Sequence, residues 1–96
     1  MIFFDAVKSD LGISHDKKDT EILACVNAAV TRMRTAGVQN IDAFDDYTGI
    51  AVKTYARSWF NYQGEGERYG KLFEEQLVVM SMSPKYNREA LDGTEN

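Results

Sequence analysis

The chain has 96 residues, of which 44% are hydrophobic and 27% charged, and its formal net charge is −4. This length and composition predict one ordinary globular domain, and without an apolar run of about 18 residues no transmembrane helix is expected. The acidic balance argues against a protein that wraps nucleic acid by neutralising phosphates, because such proteins carry a basic surplus.

The N-terminus and the cysteine usage both bear on the cellular compartment. Residues 1–5 lack the basic start and long apolar run of a signal peptide. Cys25 is the single cysteine, so an intrachain disulfide cannot form. We therefore expect a reducing, cytoplasmic setting.

The first predicted helix covers residues 3–11, where four apolar residues recur at helical spacing. Gly12 is expected to end this helix. Ile13 follows at the position where a Schellman motif places its apolar contact. Residues 14–18 then form a polar bend.

The second predicted helix lies within residues 16–37 and shows the clearest amphipathic pattern. Asp16 or Asp19 is expected to cap it, and Gly37 to end it with a positive φ. Because its apolar stripe must be covered, we expect the other helices to pack around it. The stripe consists of Ile22, Leu23, Val26, Ala29, Val30 and Met33.

The third predicted helix begins at Asp45 or Asp46 and runs to about Phe60. It is apolar over most of its circumference, a pattern typical of a helix buried on more than one side. Because a small four-helix domain offers little interior, we expect a second protein chain to cover part of it.

The fourth predicted helix covers residues 67–82, after a glycine-rich break at 63–66. Val78, Val79 and Met82 lie off its main stripe and add apolar surface. Pro84 disfavours helical geometry at the residue before it. The predicted fold is therefore all-α, a compact four-helix domain with one short and three longer helices over residues 1–83. A flexible C-terminal tail is expected over residues 84–96.

The reactive side chains give no reason to expect an enzyme. His15 has no nearby cysteine with which to form a metal-binding pattern, and Cys25 lies among small residues typical of a close helix contact. The aspartates of residues 42–46 lack the glycine and closing glutamate of a calcium loop, and the glycines of residues 64–70 lack the strand that precedes a phosphate-binding loop. No catalytic residue, metal site or cofactor is expected.

Aromatic residues between positions 55 and 62 lie beside Lys53 and Arg57. Aromatic and basic side chains together can stack nucleobases. Helical spacing and the negative net charge instead favour a core or a protein interface, where aromatic residues and arginine are common anchors.

Several stretches of the chain resemble one known family. They are VKSDLGI at 7–13, the paired alanines at 28–29, the Ala36–Gly37 stop, IAVKTYARSWFN at 50–61, a glycine-acidic bend and MSPKY at 82–86. Together they are similar to the small helical head–tail connector proteins of tailed bacteriophages and prophages, some of which are labelled DNA-packaging proteins. The resemblance covers nearly all of residues 5–86 and consists of helical packing patterns, most distinctively residues 55–61 with the following helix.

The resemblance implies a non-enzymatic structural protein of the virion, assembled in the host cytoplasm and without a cofactor. Copies would form a ring beneath the portal protein and join it to a neighbouring connector or tail protein. DNA would pass through the ring during the completion of packaging and during ejection, without specific binding, and no membrane contact is implied.

Two sets of surface residues are expected to mediate these contacts. Subunit contacts are predicted for apolar residues of the third and fourth helices, namely Val52, Ala56, Phe60, Val79 and Met82. Docking to the portal or a neighbouring connector is predicted for the tail residues Lys85, Tyr86 and Arg88.

Two alternatives remain open at this point. One is a small helical nucleic-acid-binding or regulatory protein that uses the third helix for recognition. That helix displays mainly Lys53 and Arg57 and is more apolar than a groove-reading helix usually is. The other is a generic helical interaction module of a cytoplasmic complex.

Overall fold

The computed structural model describes residues 2–42 and 45–86, and only the backbone of Ile2. Within these ranges the chain forms four α-helices and a short 3₁₀ turn, with no β-strand. The prediction of an all-α domain with one short and three longer helices is confirmed. The elements are α1 (Ile2–Asp10), α2 (Asp19–Thr35), α3 (Asp46–Trp59), the 3₁₀ turn (Tyr62–Gly64) and α4 (Gly66–Met82).

The ends of α1 and α2 are set by glycine, as the sequence predicts. The Ile13 N–H donates to the Lys8 carbonyl at 3.0 Å, and Gly12 has a φ of +71°. Val38 makes the equivalent bond at the end of α2, and Gly37 has a φ of +97°. Both ends are Schellman motifs, in which the left-handed residue is usually glycine because it has no Cβ to clash.

The N-terminal caps follow the prediction in α3 but not in α2. The Asp45 side chain accepts the Thr48 N–H and caps α3. In α2 the capping position is Lys18, which makes no side-chain cap bond. Asp19 instead lies in the first turn and pairs with Lys8 of α1 at 2.7 Å. The Asp19 carboxylate, which the sequence offers as a cap for α2, therefore forms an ion pair with another helix instead.

The third helix is the centre of the domain, in contact with α1, α2 and α4. Its buried residues include Val52 and Ala56, which are 1% and 0% exposed. Three helices of the same chain already cover much of α3, while Ile50 and Trp59 are 50% and 42% exposed. That a second chain covers part of α3 therefore stays a prediction.

The remaining core residues come from all the other helices. The stripe of α2 is confirmed at most positions, but Leu23 is 41% exposed and Val30 only half-buried. Val7 of α1 and Phe73 of α4 are fully buried against this stripe and α3. The buried residues of α2 are Ile22, Cys25, Val26, Ala29 and Met33.

The turn between α3 and α4 brings the two helices unusually close. A Cβ atom on Gly66 would lie 2.9 Å from the Ser58 carbonyl oxygen, and one on Gly70 would lie 3.1 Å from the Ser58 hydroxyl. Asn61 has a φ of +50°, and its side chain accepts the Gly66 N–H at 2.9 Å. Glycine is therefore required where α4 starts, and this contact fixes α4 against α3.

The first residues of the predicted tail belong to the folded domain. The Tyr86 carbonyl accepts the N–H groups of Gln39 and Asn40 at 2.7 and 3.1 Å. The Tyr86 side chain is 6% exposed and packs in the core. The predicted domain boundary after residue 83 is therefore too early, and residues 87–96 lie outside the described residues.

Candidate protein-interaction surfaces

An apolar patch lies at the C-terminal end of α4. Val78, Val79 and Met82 are 56%, 54% and 77% exposed. Residues three and four apart on a helix are surface neighbours, so the three side chains form one continuous area, called here the α4 patch. Their exposure agrees with the sequence pattern, which places them off the buried stripe.

The five residues predicted for subunit contacts have different environments. Val52 and Ala56 are wrong as contact residues, because the core of the same chain encloses them. Phe60 is half-buried against that core, with the Lys18 ammonium 5.9 Å from its ring centre. Val79 and Met82 are accessible to a second chain, and their role in contacts stays a prediction.

The three residues predicted for docking also have different environments. Tyr86 is wrong as a docking residue, because its ring is buried and its hydroxyl donates to Asp45 at 2.6 Å. Lys85 pairs with the same carboxylate at 2.7 Å, but its side chain is 66% exposed and stays a predicted docking residue. Arg88 lies outside the described residues.

Asp45 is the electrostatic centre of this end of the domain. Its carboxylate accepts hydrogen bonds from the Lys85 ammonium, the Tyr86 hydroxyl, and the Thr48 N–H and hydroxyl. The bonds from Lys85 and Tyr86 lower the pKa of Asp45 well below its ordinary value. Burial, with the adjacent Asp45 charge, raises the pKa of Tyr86. The cluster therefore joins two distant parts of the chain.

A groove lies between the start of α1, the middle of α2 and the loop that follows α2. It has a volume of about 490 Å³. Its apolar lining comes from Phe3, Val26, Val30 and Ile41, and Thr31 and Arg34 form an exposed polar edge. We call it the α1–α2 groove. The periodicity of the sequence gives no indication of it, because its lining combines three separate segments.

Two arginines of α2 have different surroundings. Arg32 forms an ion pair with Glu74 of α4, whereas Arg34 lines the α1–α2 groove. Arg34 makes no ion pair within the described residues, and neither does the exposed Glu75 of α4. Among residues 2–42 and 45–86, a cation without an ion-pair partner therefore lies at the groove, and an anion without one lies on the helix that carries the α4 patch.

Arg57 is held against the domain by contacts with three other residues. Its guanidinium forms a two-pronged pair with the Asp10 carboxylate at 2.7 and 2.8 Å. It also lies over the rings of Tyr62 and Tyr69, 5.2 and 5.3 Å from their centres. The pair with Asp10 raises the pKa of Arg57, so its charge is permanent. These contacts join α1, α3 and α4 and leave Arg57 poorly placed to contact a phosphate backbone.

The aromatic residues of α3 contact other parts of the fold, and Tyr55 lies against α4. The rings of Tyr55 and Phe73 are 4.8 Å apart, and those of Tyr55 and Trp59 are 6.1 Å apart. Trp59 is 42% exposed, and its indole N–H donates to Glu21 at 3.3 Å. Packing between helices therefore accounts for most of the aromatic surface that the sequence displays beside basic residues.

Cys25 and His15 are the two side chains that the sequence offers for thiol or imidazole chemistry. Burial and the nearby Glu21 carboxylate raise the pKa of the Cys25 thiol to about 12, so the thiol is protonated at neutral pH. His15 is exposed and accepts the Lys17 N–H at 3.2 Å. Residues 2–42 and 45–86 hold no group of three or more side chains arranged to bind a metal ion. Over the same residues, no helix combines the length and apolar character needed to cross a membrane.

Comparisons of the chain with known protein families, with curated proteins and with solved structures found no match in any of the three. The surfaces described above are therefore the observations from which a function can be inferred, together with the sequence patterns. Of these surfaces, the α4 patch was foreseeable from periodicity. The α1–α2 groove and the link between Asp45 and Tyr86 were not, since each joins segments far apart in the sequence.

Proposed function

We propose that this chain is a structural virion protein, a head–tail connector of a tailed bacteriophage or prophage. In this role, copies form a ring beneath the portal protein and join it to a neighbouring connector or tail protein. DNA passes through the ring when packaging is completed and when the genome is ejected. The protein acts without catalysis, in the virion and, during assembly, in the host cytoplasm.

The observation that carries this proposal is the α4 patch. Val78, Val79 and Met82 are each more than half exposed although they are side by side on one helix. Single exposed apolar residues are common, but a continuous apolar area on a small domain is typical of a protein interaction site. A surface of this kind is what a protein needs if its copies assemble with one another.

The charge distribution supports a role as a conduit for DNA. The net charge is −4, and Arg57, the basic residue most suggestive of nucleic-acid contact, pairs with Asp10. An acidic surface repels the phosphate backbone, so DNA can move past without being retained.

Two further features favour a structural role. Cys25 is a buried, protonated thiol, and Asp45 and Arg57 each tie helices or chain segments together. The groups that first suggest chemistry in the sequence thus have packing or linking tasks. The family resemblance of residues 5–86 points the same way.

Light scattering over a wide range of protein concentrations, followed by electron microscopy of the large species, tests the proposal. We expect the mass to rise with concentration towards closed rings with a central channel. A salt titration of binding to duplex DNA belongs in the same experiment. Monomers at every concentration would overturn the proposal. Tight duplex binding with a steep salt dependence would overturn it in favour of a helical nucleic-acid-binding protein.

A further inference from the structure

We infer that the α4 patch of one copy inserts into the α1–α2 groove of the next copy, so that copies associate head-to-tail. The inference rests on the proposed assembly of this chain with itself, and it goes further by naming the two different surfaces that meet.

The two surfaces lie on different sides of α2. A helix turns by about 100° per residue, so side chains two positions apart point about 200° away from one another. Arg32 reaches α4, where it pairs with Glu74, and Arg34 lines the groove. The groove and α4 are therefore separated by α2 within one subunit. The α4 patch cannot fill the groove of its own chain, and a second copy must supply it.

Contacts between two different surfaces have a defined consequence for assembly. When each copy offers one groove and one patch, every added copy leaves one groove and one patch free. Such contacts continue until the chain of copies closes into a ring, or they extend as an open filament where the rotation between copies does not close. A patch that met the patch of another copy would instead stop at a dimer.

Size and shape favour the groove as the receptor. Its volume is about 490 Å³, whereas a cavity of about 150 Å³ lined by apolar side chains already admits benzene. Met82 is the most exposed residue of the α4 patch. Methionine is unbranched and flexible, so it can adapt to an irregular apolar groove. The groove therefore has room for Met82 and one of the adjacent valines.

The charges beside the two surfaces are complementary. Arg34 lines the groove, and Glu75 precedes Val79 by one helical turn on α4. Neither has an ion-pair partner within the described residues. When the patch of one copy enters the groove of the next, Glu75 and Arg34 of different copies are brought near each other. Such a pair sets the orientation of the contact more than its strength.

A single contact of this kind is weak. Three side chains cover far less than the roughly 800 Å² per partner that stable interfaces use. Assembly is therefore expected to depend steeply on concentration and to be stabilised chiefly by ring closure, in which every copy is held on two sides.

Two variants test the inference, each with one surface removed. Met82→Glu places a charge in the α4 patch and leaves the groove intact. Thr31→Trp fills the groove from its exposed edge and leaves the patch intact. We expect each variant alone to need a concentration about tenfold higher, or more, before its mass rises in light scattering. The matched controls are Leu23→Glu and Thr20→Trp, which make the same types of change at exposed positions outside both surfaces and should assemble like the wild type.

Mixing the two variants gives the decisive result. Met82→Glu retains a free groove and Thr31→Trp retains a free patch, so an equal mixture contains one productive contact. Because this one contact is weak and gains nothing from ring closure, we expect a one-to-one dimer that grows no further and that forms only at concentrations above those at which the wild type assembles. Arg34→Glu or Glu75→Arg alone should weaken assembly. The double variant Arg34→Glu/Glu75→Arg, in which the two charges are exchanged, should restore it.

Several outcomes would overturn the inference. Wild-type mass for Thr31→Trp would show that the patch meets another surface. A mixture whose mass stays equal to that of either variant alone, up to the highest concentration reached, would exclude a patch-to-groove contact. Both results would leave the proposed assembly itself intact, whereas a wild-type chain that stays monomeric would overturn both. Circular dichroism verifies that each variant is folded, and Asn27→Trp, which fills the same groove, replaces Thr31→Trp if the latter unfolds.

Discussion

The Tyr86 hydroxyl donates a 2.6 Å hydrogen bond to the Asp45 carboxylate, 41 positions earlier in the chain. The same carboxylate caps α3 through the Thr48 N–H and pairs with Lys85. One side chain therefore secures both the start of the central helix and the segment that follows α4. Substitutions of Asp45 should therefore lower the free energy of unfolding, and different substitutions should distinguish the effect of the cap from the effect of the charge.

Replacing Asp45 with alanine removes the cap and leaves the buried Tyr86 hydroxyl without its acceptor. We expect the free energy of unfolding at pH 7 to fall by about 1–3 kcal/mol. Asp45→Asn retains an oxygen that can cap α3 but has no charge for Lys85, so its loss should be smaller. Urea denaturation followed by circular dichroism measures both.

The pH dependence of unfolding measures how much the ionised Asp45 carboxylate contributes to stability. The folded-state pKa of Asp45 is well below the ordinary value of 3.8, because Lys85 and Tyr86 donate to the ionised carboxylate. A depressed pKa stabilises the fold above the unfolded-state pKa, and the contribution is lost as the pH falls from about 4 towards the folded-state pKa. Wild-type stability should therefore fall with acid more steeply than that of Asp45→Asn. Equal acid slopes would contradict the role assigned to this carboxylate.

Two glycine-to-alanine changes should have opposite effects on stability. A Cβ at Gly49, inside α3, would meet no atom within 4 Å, whereas one at Gly66 would lie 2.9 Å from the Ser58 backbone. Gly49→Ala should raise the free energy of unfolding by about 0.5–1 kcal/mol, since alanine is the better helix former. Gly66→Ala should lower it, because α4 must move away from α3. Thermal unfolding of the two variants gives the comparison, and a stabilised Gly66→Ala would refute the close approach of the helices.

Two valines should respond differently to the same substitution. Val52 is 1% exposed in the core and Val79 is 54% exposed in the α4 patch. Val52→Glu buries an unpaired charge and should unfold the domain or cost about 4 kcal/mol or more. Val79→Glu should change the stability of the monomer by no more than about 0.5 kcal/mol. A Val79→Glu chain with the instability of Val52→Glu would contradict the exposure of the patch.

The pair between Arg57 and Asp10 should show a measurable coupling energy. Both side chains are largely covered, and the bonds are two-pronged. A double-mutant cycle with Arg57→Ala and Asp10→Ala should give a coupling of about 1–3 kcal/mol. Arg57→Lys should recover only part of it, because an ammonium cannot reproduce the planar two-pronged contact. Additive effects of the two alanine changes would show that the pair contributes little to stability.

The Cys25 thiol should be unreactive until the domain unfolds. Its pKa is raised to about 12 and its side chain is 1% exposed. Because the ordinary thiol pKa is 9.0, the thiolate is about a thousandfold less abundant than at an unperturbed cysteine. A thiol-specific reagent at pH 8 should label Cys25 at the rate of unfolding, whereas a cysteine introduced at the exposed Ser14 should react at once. Fast labelling of Cys25 in the native protein would contradict its burial.

The buried faces and the ends of the helices could be predicted from the sequence, because the interactions that set them lie within a few residues along the chain. The buried stripe of α2, the stops at Gly12 and Gly37 and the cap at Asp45 each depend on neighbours one or two turns away. The same reasoning failed for Asp19, where an ion pair with Lys8 replaced the predicted cap. Side chains from another helix can change a local preference whenever they offer a stronger partner.

By itself the sequence determined four helices, their approximate ends and an excess of apolar surface at the end of α4. Only the tertiary structure decided which apolar faces stay outside, because that depends on how many helices surround each one. Val52 and Ala56 look as available as Val79 in the periodicity, but α3 is enclosed on three sides and α4 is not. The α1–α2 groove and the bond between Asp45 and Tyr86 likewise exist only because folding brings distant segments into contact.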